Sequence, residues 1–487
     1  MGRLHSTSLM NAMKKKILLG LGGGAAAFIL GVVVFALTFD VNSYRPRLEA
    51  AASGATGLDV RINGKMGLSF FPFGVSARDL HLSNKRGDIL SLEELKLGME
   101  LRPLLKKQLK VTVCELVKPV VTIVKDSKGK YNFEGTEKKS AEGRPGGAFS
   151  VNELKLSQGI LFYLDKKTGE KTEIKDFNLA IKDLSVPDTS GEIKKNISFT
   201  GNLDCREVRE GDFRIDNVKS PIKAEKGVIF LRPLTMDIFG AKADADATAD
   251  MSEVEAAYKV NLKISKLDLE KLEESFGTKK VIGGKGDLYA SLTLKEKGNR
   301  NLISGTDGTF SLRGDNLVIY TMDLDKALSS FETSQKFNLV DVGAFLMAGP
   351  LGNIALKGYR YGDVYHQTRG GGGIITKFSS HWKIKAGVAD ATDCALATRH
   401  NRVALKGKLD LVSERYDNVV VALLDDKGCA KFIQGIHGPF GSPQVGAVSV
   451  VETLAGPIFD LYRKAKRFLQ GGKCEVFYNG AVQQPPK

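Results

Sequence analysis

The chain has 487 residues, a net charge of +15 from 71 basic and 56 acidic residues, and 42% hydrophobic residues. This composition excludes a disordered polypeptide and a polytopic membrane protein. The five cysteines include no Cys-x-x-Cys pair, which excludes a zinc ribbon, a thioredoxin-type redox centre and a small disulfide-rich fold. The basic residues are spread along the chain without interleaved aromatic residues, so we expect no nucleic-acid partner.

The first element in the chain is a long apolar stretch near the N-terminus. Three lysines at positions 14 to 16 precede Ile17 to Phe39, which carries no charge and ends at Asp40. As a helix this stretch would be about 34 Å long, enough to cross a hydrocarbon core of about 30 Å. It therefore predicts a single-pass anchor within residues 1–40, with the lysines on the cytoplasmic side. A cleaved signal peptide is the alternative, although its apolar core would be shorter, about 7–15 residues.

Beyond Asp40 apolar and polar residues alternate, which is typical of antiparallel strands with one covered face. Short strands and frequent glycine turns continue for hundreds of residues and predict a mostly β protein. From this pattern we predict that one apolar face includes Leu109, Val111, Val113, Val260, Leu262, Ile264, Leu288, Leu292, Leu294, Val403 and Leu405. An ordinary β-sandwich core would give the same alternation, so the pattern alone leaves both architectures open.

Helical patterns interrupt the strands at only a few places. Short helices are expected over 41–52, over 267–276 with Asp268 as its N-cap, and within 323–347. A last amphipathic helix over 454–468 carries four basic residues that could dock on an anionic membrane or cap the final sheet edge: Arg463, Lys464, Lys466 and Arg467. We predict β regions over 41–135, 148–300 and 301–487, with a polar linker at 136–147.

Residue patterns that would carry chemistry are weak throughout the chain. None of the six histidines has metal-ligand spacing to another, and His81 is interpreted as a solvated residue. The acidic residues between Asp244 and Glu255 resemble a calcium loop, but Ala249 replaces the required glycine, so a strand is the better interpretation. Neither a phosphate-binding loop nor a nucleophile elbow is present. We therefore expect a protein that is not an enzyme and holds no cofactor or metal.

Several motifs, taken in order, resemble those of a known family. The N-terminal ones are Asp40–Pro46, Thr56–Gly57, Phe71–Gly74, Arg102–Leu105, Pro119–Ile123 and Asp126–Phe133. Later ones are Met236–Gly240, Asn338–Gly343 and Gly438–Pro443. This succession resembles the AsmA family, anchored proteins of the Gram-negative envelope. One departure is Leu58-Asp59, where the family usually has an arginine after the glycine.

The resemblance implies an inner-membrane protein whose bulk lies in the periplasm as a long, curved, half-open antiparallel sheet. The concave face would then be a groove that carries phospholipid towards the outer membrane, lined by the eleven apolar residues above. A partner protein at the outer membrane or in the periplasm would fit this arrangement. The alternative function is a scaffold or assembly factor for outer-membrane proteins. One disulfide among Cys394, Cys429 and Cys474 is plausible in an oxidising periplasm, and roughly 25–30 strands would make a sheet of about 120–140 Å.

Overall fold

The computed structural model describes residues 41–100, 111–133, 149–186, 196–253, 255–275, 280–296, 302–320, 322–334, 339–347, 372–450 and 476–485. The predicted anchor at Ile17 to Phe39, Leu109 and the predicted basic helix over 454–468 lie outside these residues. No helix in the described ranges is long and apolar enough to cross a membrane.

Four α-helices punctuate the described chain, close to the predicted positions. After a 3-10 turn at Val41–Tyr44 come α1 (Arg45–Thr56), α2 (Leu269–Ser275), α3 (Leu324–Ser334) and α4 (339–347). Pro46 lies in the first turn of α1, where proline is tolerated because the backbone N–H groups there have no helical partner. Asp268 caps α2 as predicted, since its carboxylate accepts from the backbone N–H groups of Glu270 (3.2 Å) and Lys271 (3.3 Å).

Most of the described chain forms 23 strands of one sheet. The first twelve are β1 (Asp59–Ile62), β2 (Met66–Phe70), β3 (Phe73–Asn84), β4 (Gly87–Met99), β5 (Val111–Val117), β6 (Val120–Lys125), β7 (Phe149–Asp165), β8 (Lys171–Val186), β9 (Ser198–Glu210), β10 (Phe213–Glu225), β11 (Val228–Ile238) and β12 (Ala241–Asp250). The rest are β13 (Ala257–Asp268), β14 (Ile282–Gly283), β15 (Lys285–Lys295), β16 (Thr306–Ile319), β17 (Gly373–Lys385), β18 (Val388–Ala397), β19 (Arg402–Asp410), β20 (Arg415–Leu424), β21 (Ala430–Pro439), β22 (Gln444–Val445) and β23 (Ser449–Val450).

The sheet is mixed, which corrects the prediction of a purely antiparallel one. Neighbouring strands pair antiparallel, except that β7 lies parallel to both β5 and β6. Parallel neighbours need a long connection that carries the chain back to the starting edge of the sheet. β6 ends at Lys125 and β7 begins at Phe149, so the chain between these parallel strands includes the predicted linker at 136–147.

The described sheet is also shorter than predicted. At four places in the sheet, two strands lie one after the other against the same neighbouring strand. These pairs are β1 with β2, β5 with β6, β14 with β15, and β22 with β23. The 23 strands therefore occupy nineteen successive positions. At about 4.8 Å between neighbours this is roughly 85 Å. The prediction assumed shorter strands, whereas the longest described strand, β7, has 17 residues.

A line of β-bulges crosses the first half of the sheet. Five non-glycine residues with positive φ lie within or between neighbouring strands: Asp79, Lys118, Gln158, Asp176 and Asn217. Hydrogen bonds show that these positions lie side by side on neighbouring strands. Lys118 N–H donates to the carbonyl of Ser157 (2.8 Å), and Gln158 N–H donates to Asn178 Oδ1 (2.9 Å). A bulge adds one residue, bends the strand and shifts the alternation of side chains. Apolar residues on both sides of this bulge line can therefore stay on one face of the sheet.

The largest hydrophobic core lies on the C-terminal strands. Trp382, Val403 and Leu405 are 0–2% exposed, and Leu328 of α3 and Leu346 of α4 pack into the same cluster with 0% exposure. The two helices thus cover the apolar face of this part of the sheet. In contrast, the cluster on the central strands holds only three buried residues, Ile181, Phe199 and Ala224. The sheet is therefore closed by helices at its C-terminal end and thinly covered at its centre.

Candidate functional site

The apolar face of the central strands carries a row of leucines, one from each of five neighbouring strands. The register places Leu95, Leu116, Leu156, Leu179 and Leu203 next to one another across β4, β5, β7, β8 and β9. All five side chains are half-buried. We call this set the leucine row.

A second apolar row follows the other side of the bulge line. It consists of Leu90, Val121, Leu161, Ile174, Val208 and Ile215, each opposite the next on the neighbouring strand. These side chains are also half-buried. Together the two rows form a continuous band of apolar surface that runs perpendicular to the strands, which we call the open face. Contiguous apolar surface on soluble proteins often marks a binding site.

The band continues into β12 and β13 with a change in side-chain size. The alanines of β12 at positions 243, 245 and 247 lie opposite Ile264, Leu262 and Val260 of β13. The two acidic residues between these alanines, Asp244 and Asp246, point to the other face, so the calcium-like stretch is a strand here, as interpreted from sequence. Within the described ranges no group of acidic, histidine or cysteine residues could hold a metal ion.

The predicted groove residues of β13, β15 and β19 separate into a half-buried and a buried group. Val260, Leu262, Leu292 and Leu294 lie half-buried on the apolar face of β13 and β15. Ile264 and Leu288, on the same two strands, are 1% and 9% exposed and belong to the large core. Val403 and Leu405 are buried in that core beneath α3 and α4. These eight predicted groove residues thus divide into four half-buried and four buried ones.

Strand β5 shows an error of one residue in the predicted face. Val113 lies opposite Gly98 and Glu153, on the face away from the leucine row, whereas Cys114 and Leu116 point towards the row. Because side chains alternate with a period of two, a shift of one residue exchanges the faces of a whole strand. Val111 is the first residue of β5, and its backbone alone is described.

The leucine row itself was missed by the sequence analysis. Its members follow the alternating pattern over short stretches such as Leu154–Leu156 and Leu179–Ile181. The bulges at Gln158 and Asp176 shift that pattern within β7 and β8, so an uninterrupted alternation does not run along either strand. A search for alternation in shorter sequence windows, ended at polar residues inside long strands, would have found the leucine row.

The opposite face of the same strands is charged. Ion pairs join Lys96 to Glu115 (3.6 Å) and Lys155 to Glu153 (3.1 Å). Exposed pairs of this kind contribute little stability, about 0–1 kcal/mol each. Their consequence is that water wets this face, so the sheet offers apolar ligands only one side.

A deeper charged cluster surrounds Glu207 on β9, on the charged side of the sheet. Its carboxylate side chain is 6% exposed and lies 3.2 Å from both Arg209 and Arg214 and 3.7 Å from Lys175. Three basic side chains thus surround one buried carboxylate. The cluster holds β8, β9 and β10 together beneath the open face.

The structure adds detail to two further predictions. His81, interpreted as a solvated residue, has a side chain that is 29% exposed and lies 3.0 Å from both Asp79 and Asp88, whose hydrogen bonds raise the pKa of the imidazole. Among the cysteines, Cys394 is a free buried thiol while Cys429 is disulfide-bonded. Cys394 is therefore excluded from the expected pair, and Cys474 lies outside the described residues.

Comparison with known proteins tests the resemblance to the AsmA family. The sequence model of the AsmA family matches residues 13–213 and again residues 192–354, together well over half of the chain. The match ends before the motif Gly438–Pro443. No curated protein and no solved structure matches the chain.

Proposed function

The chain belongs to the AsmA family, and on that premise we propose that it carries phospholipid along the open face, from an inner membrane that holds its N-terminal anchor towards the outer membrane. The proposal places the N-terminus in the cytoplasm and the sheet in the periplasm. Phospholipid is the cargo, and no catalysis is involved.

The physical requirement for such a carrier is to keep acyl chains out of water. At about 0.8 kcal/mol per CH₂, a 16-carbon chain in water costs on the order of 12 kcal/mol. A band of half-buried leucine, isoleucine and valine side chains removes much of this cost. It needs no enclosed cavity, because the charged headgroup can remain in water beside the strand ends.

The leucine row is the observation on which the proposal rests. Its side chains are directed to one face of five neighbouring strands, and the adjacent residues Ser157 and Ala180 point to the other face. The proposed route runs from β4 to β13 along this band. Beyond β15 the helices α3 and α4 cover the apolar face, so lipid would leave the sheet before this covered part.

The test is the double variant Leu156→Asp, Leu179→Asp, with Ser157→Asp, Ala180→Asp as the matched control. Both variants add two charges to the same strands, but on opposite faces. Charge on the open face makes contact with acyl chains unfavourable, and a loss of 1.4 kcal/mol is already tenfold in affinity. We expect transfer of a fluorescent phospholipid between vesicles to fall at least about tenfold in the first variant only.

Bound phospholipid, measured by native mass spectrometry of the full chain, should fall in parallel. Normal transfer by a folded protein that carries aspartates at positions 156 and 179 would reject the open face as the route. A wild-type protein that purifies without lipid but captures unfolded outer-membrane barrel segments would support the scaffold function instead.

A further inference from the structure

One hairpin turn exposes a large aromatic side chain almost completely. Phe71 lies at the tip between β2 and β3 and is 92% exposed, more than any other large hydrophobic residue that the structure describes. The next residue, Pro72, packs closely against Gly98 of β4, since a Cβ atom at Gly98 would lie 2.7 Å from Pro72 Cβ. The tip is thus anchored to the sheet while Phe71 contributes nothing to its core.

The strand that leads to the tip, β2, begins where the residues that follow the N-terminal apolar stretch join the sheet. The Asn42 side chain donates to the carbonyl of Met66 (3.2 Å) and accepts from the Met66 N–H (3.0 Å). Arg45 donates to the carbonyl of Gly64 (2.6 Å). These bonds fix the start of β2 to the residues that follow Asp40, which ends the apolar stretch.

Chain geometry limits how far Phe71 can be from that stretch. Phe39 is three residues before Asn42, at most about 11 Å away. Phe71 is five residues after Met66, about 17 Å along an extended strand. The aromatic tip is therefore within roughly 30 Å of the end of the apolar stretch.

The surroundings of the junction match a membrane surface in chemistry. Arg47 of α1 and Lys65, which precedes β2, are exposed, and Leu48 of α1 is 43% exposed. Basic side chains beside exposed apolar ones are typical of segments that lie in the interface of an anionic bilayer. An acidic protein surface would complement the charges but would not explain why the exposed residues surround the junction with the predicted anchor.

We propose that Phe71 inserts into the bilayer that holds Ile17 to Phe39, so that the sheet stands on this membrane through β1, β2 and β3. The inference rests on the anchor of the proposed function, and it adds a contact that places the beginning of the open face at the lipid surface. Leu95, the first member of the leucine row, lies on β4, the neighbour of β3. Lipid disturbed by the aromatic tip would therefore be next to the proposed route.

The test uses tryptophan fluorescence of the full chain in liposomes that contain anionic phospholipid with brominated acyl chains, which quench tryptophan. The only native tryptophan, Trp382, is 0% exposed in the closed core, so its emission is shielded from the lipid. The variant Phe71→Trp places a fluorescent probe at the tip. Val412→Trp is the matched control, because Val412 is 43% exposed in the turn between β19 and β20, roughly 70 Å away along the sheet.

We expect brominated lipid to lower the additional emission of F71W at least about twofold and to leave that of V412W within about a tenth of its value. Unquenched F71W emission in a chain that alkaline carbonate does not extract would overturn the insertion of Phe71 and leave the anchor and the transport route standing. Emission that shifts to the blue without quenching would also overturn it, in favour of a protein contact. Extraction by carbonate would overturn the inference together with the anchor.

Discussion

The central and C-terminal parts of the sheet each have an apolar face, and the two parts differ in what covers that face. In both parts apolar residues alternate with polar ones, and the register directs them to one continuous face. Leu179 in the centre is half-buried, whereas Val403 near the C-terminus is 0% exposed. The difference comes from α3 and α4, which pack on the C-terminal strands. Alternation thus specifies an apolar face, and a second element decides whether that face becomes a core or a binding surface.

The closed part is held by specific polar contacts in addition to apolar packing. The Trp382 indole N–H donates to Ser380 Oγ (2.8 Å), and Ser380 Oγ donates to the carbonyl of Leu346 in α4 (2.6 Å). At α3, the carboxylate of Asp325 accepts from the His400 N–H (3.1 Å) and the Asn401 side chain (3.0 Å). Both helices are therefore tied to the strands that they cover.

The largest expected difference between the two parts is in the cost of truncating an apolar side chain. Trp382→Ala removes a fully buried ring and the hydrogen bond to Ser380, which we expect to cost about 4 kcal/mol of the free energy of unfolding of the C-terminal part. Leu179→Ala removes a half-exposed side chain and should cost about 1 kcal/mol. Native-state hydrogen exchange of the β17 and β8 amides measures each locally. Equal losses at the two sites would contradict the distinction between closed and open parts.

A smaller effect is expected from the polar tie between α3 and the turn after β18. Asp325→Ala leaves the buried donors of this turn without their acceptor and should cost about 2 kcal/mol, measured by exchange of the α3 amides. The matched control is Asp315→Ala, which breaks an exposed pair with Lys377 (2.8 Å) and should cost less than about 0.5 kcal/mol. If both variants behave alike, the contact does not fasten α3.

The smallest effect depends on pH and concerns α2, at the border of the two parts. Burial raises the pKa of Glu273 from 4.5 to about 7, although backbone N–H groups of Val281 and Ile282 donate to it and lower the pKa. The pKa of Glu273 is higher in the folded state than in the unfolded state. Its contribution to the free energy of unfolding is therefore complete below pH 4.5 and is lost as the pH rises towards 7.

We therefore expect protection of the α2 and β14 amides to decrease between pH 5 and pH 8, by about 1 kcal/mol after allowance for partial exposure. Glu273→Gln should remove this dependence. Glu274→Gln, which alters the exposed neighbour paired with Lys280 (2.9 Å), should retain it. A wild-type profile that is flat or rises over this range would show that the burial of Glu273 does not control its protonation.

The sequence predicts the local structure better than it predicts the candidate site. Asp268 as an N-cap predicted α2, and the helices expected within 323–347 are α3 and α4, because helix signals are local properties. The alternation in β13 and β15 predicted that Val260 and Leu292 share one face, and the register places them opposite each other. Val113 was assigned to the wrong face because β5 is short and the bulges shift the alternation between neighbouring strands. The parallel position of β7 and the cover over Val403 and Leu405 depend on contacts between residues far apart in the chain, and periodicity does not encode them.

Photocrosslinking from the open face tests the central claim most directly. A benzoylphenylalanine introduced at position 179, 180 or 378 of the full chain samples the leucine row, the charged face of the same strand and the closed core, where Phe378 is 3% exposed. The account predicts a phospholipid adduct, identified by mass, at position 179 and none at positions 180 and 378. No adduct at 179, or adducts of equal yield at 179 and 180, would contradict transport along the open face.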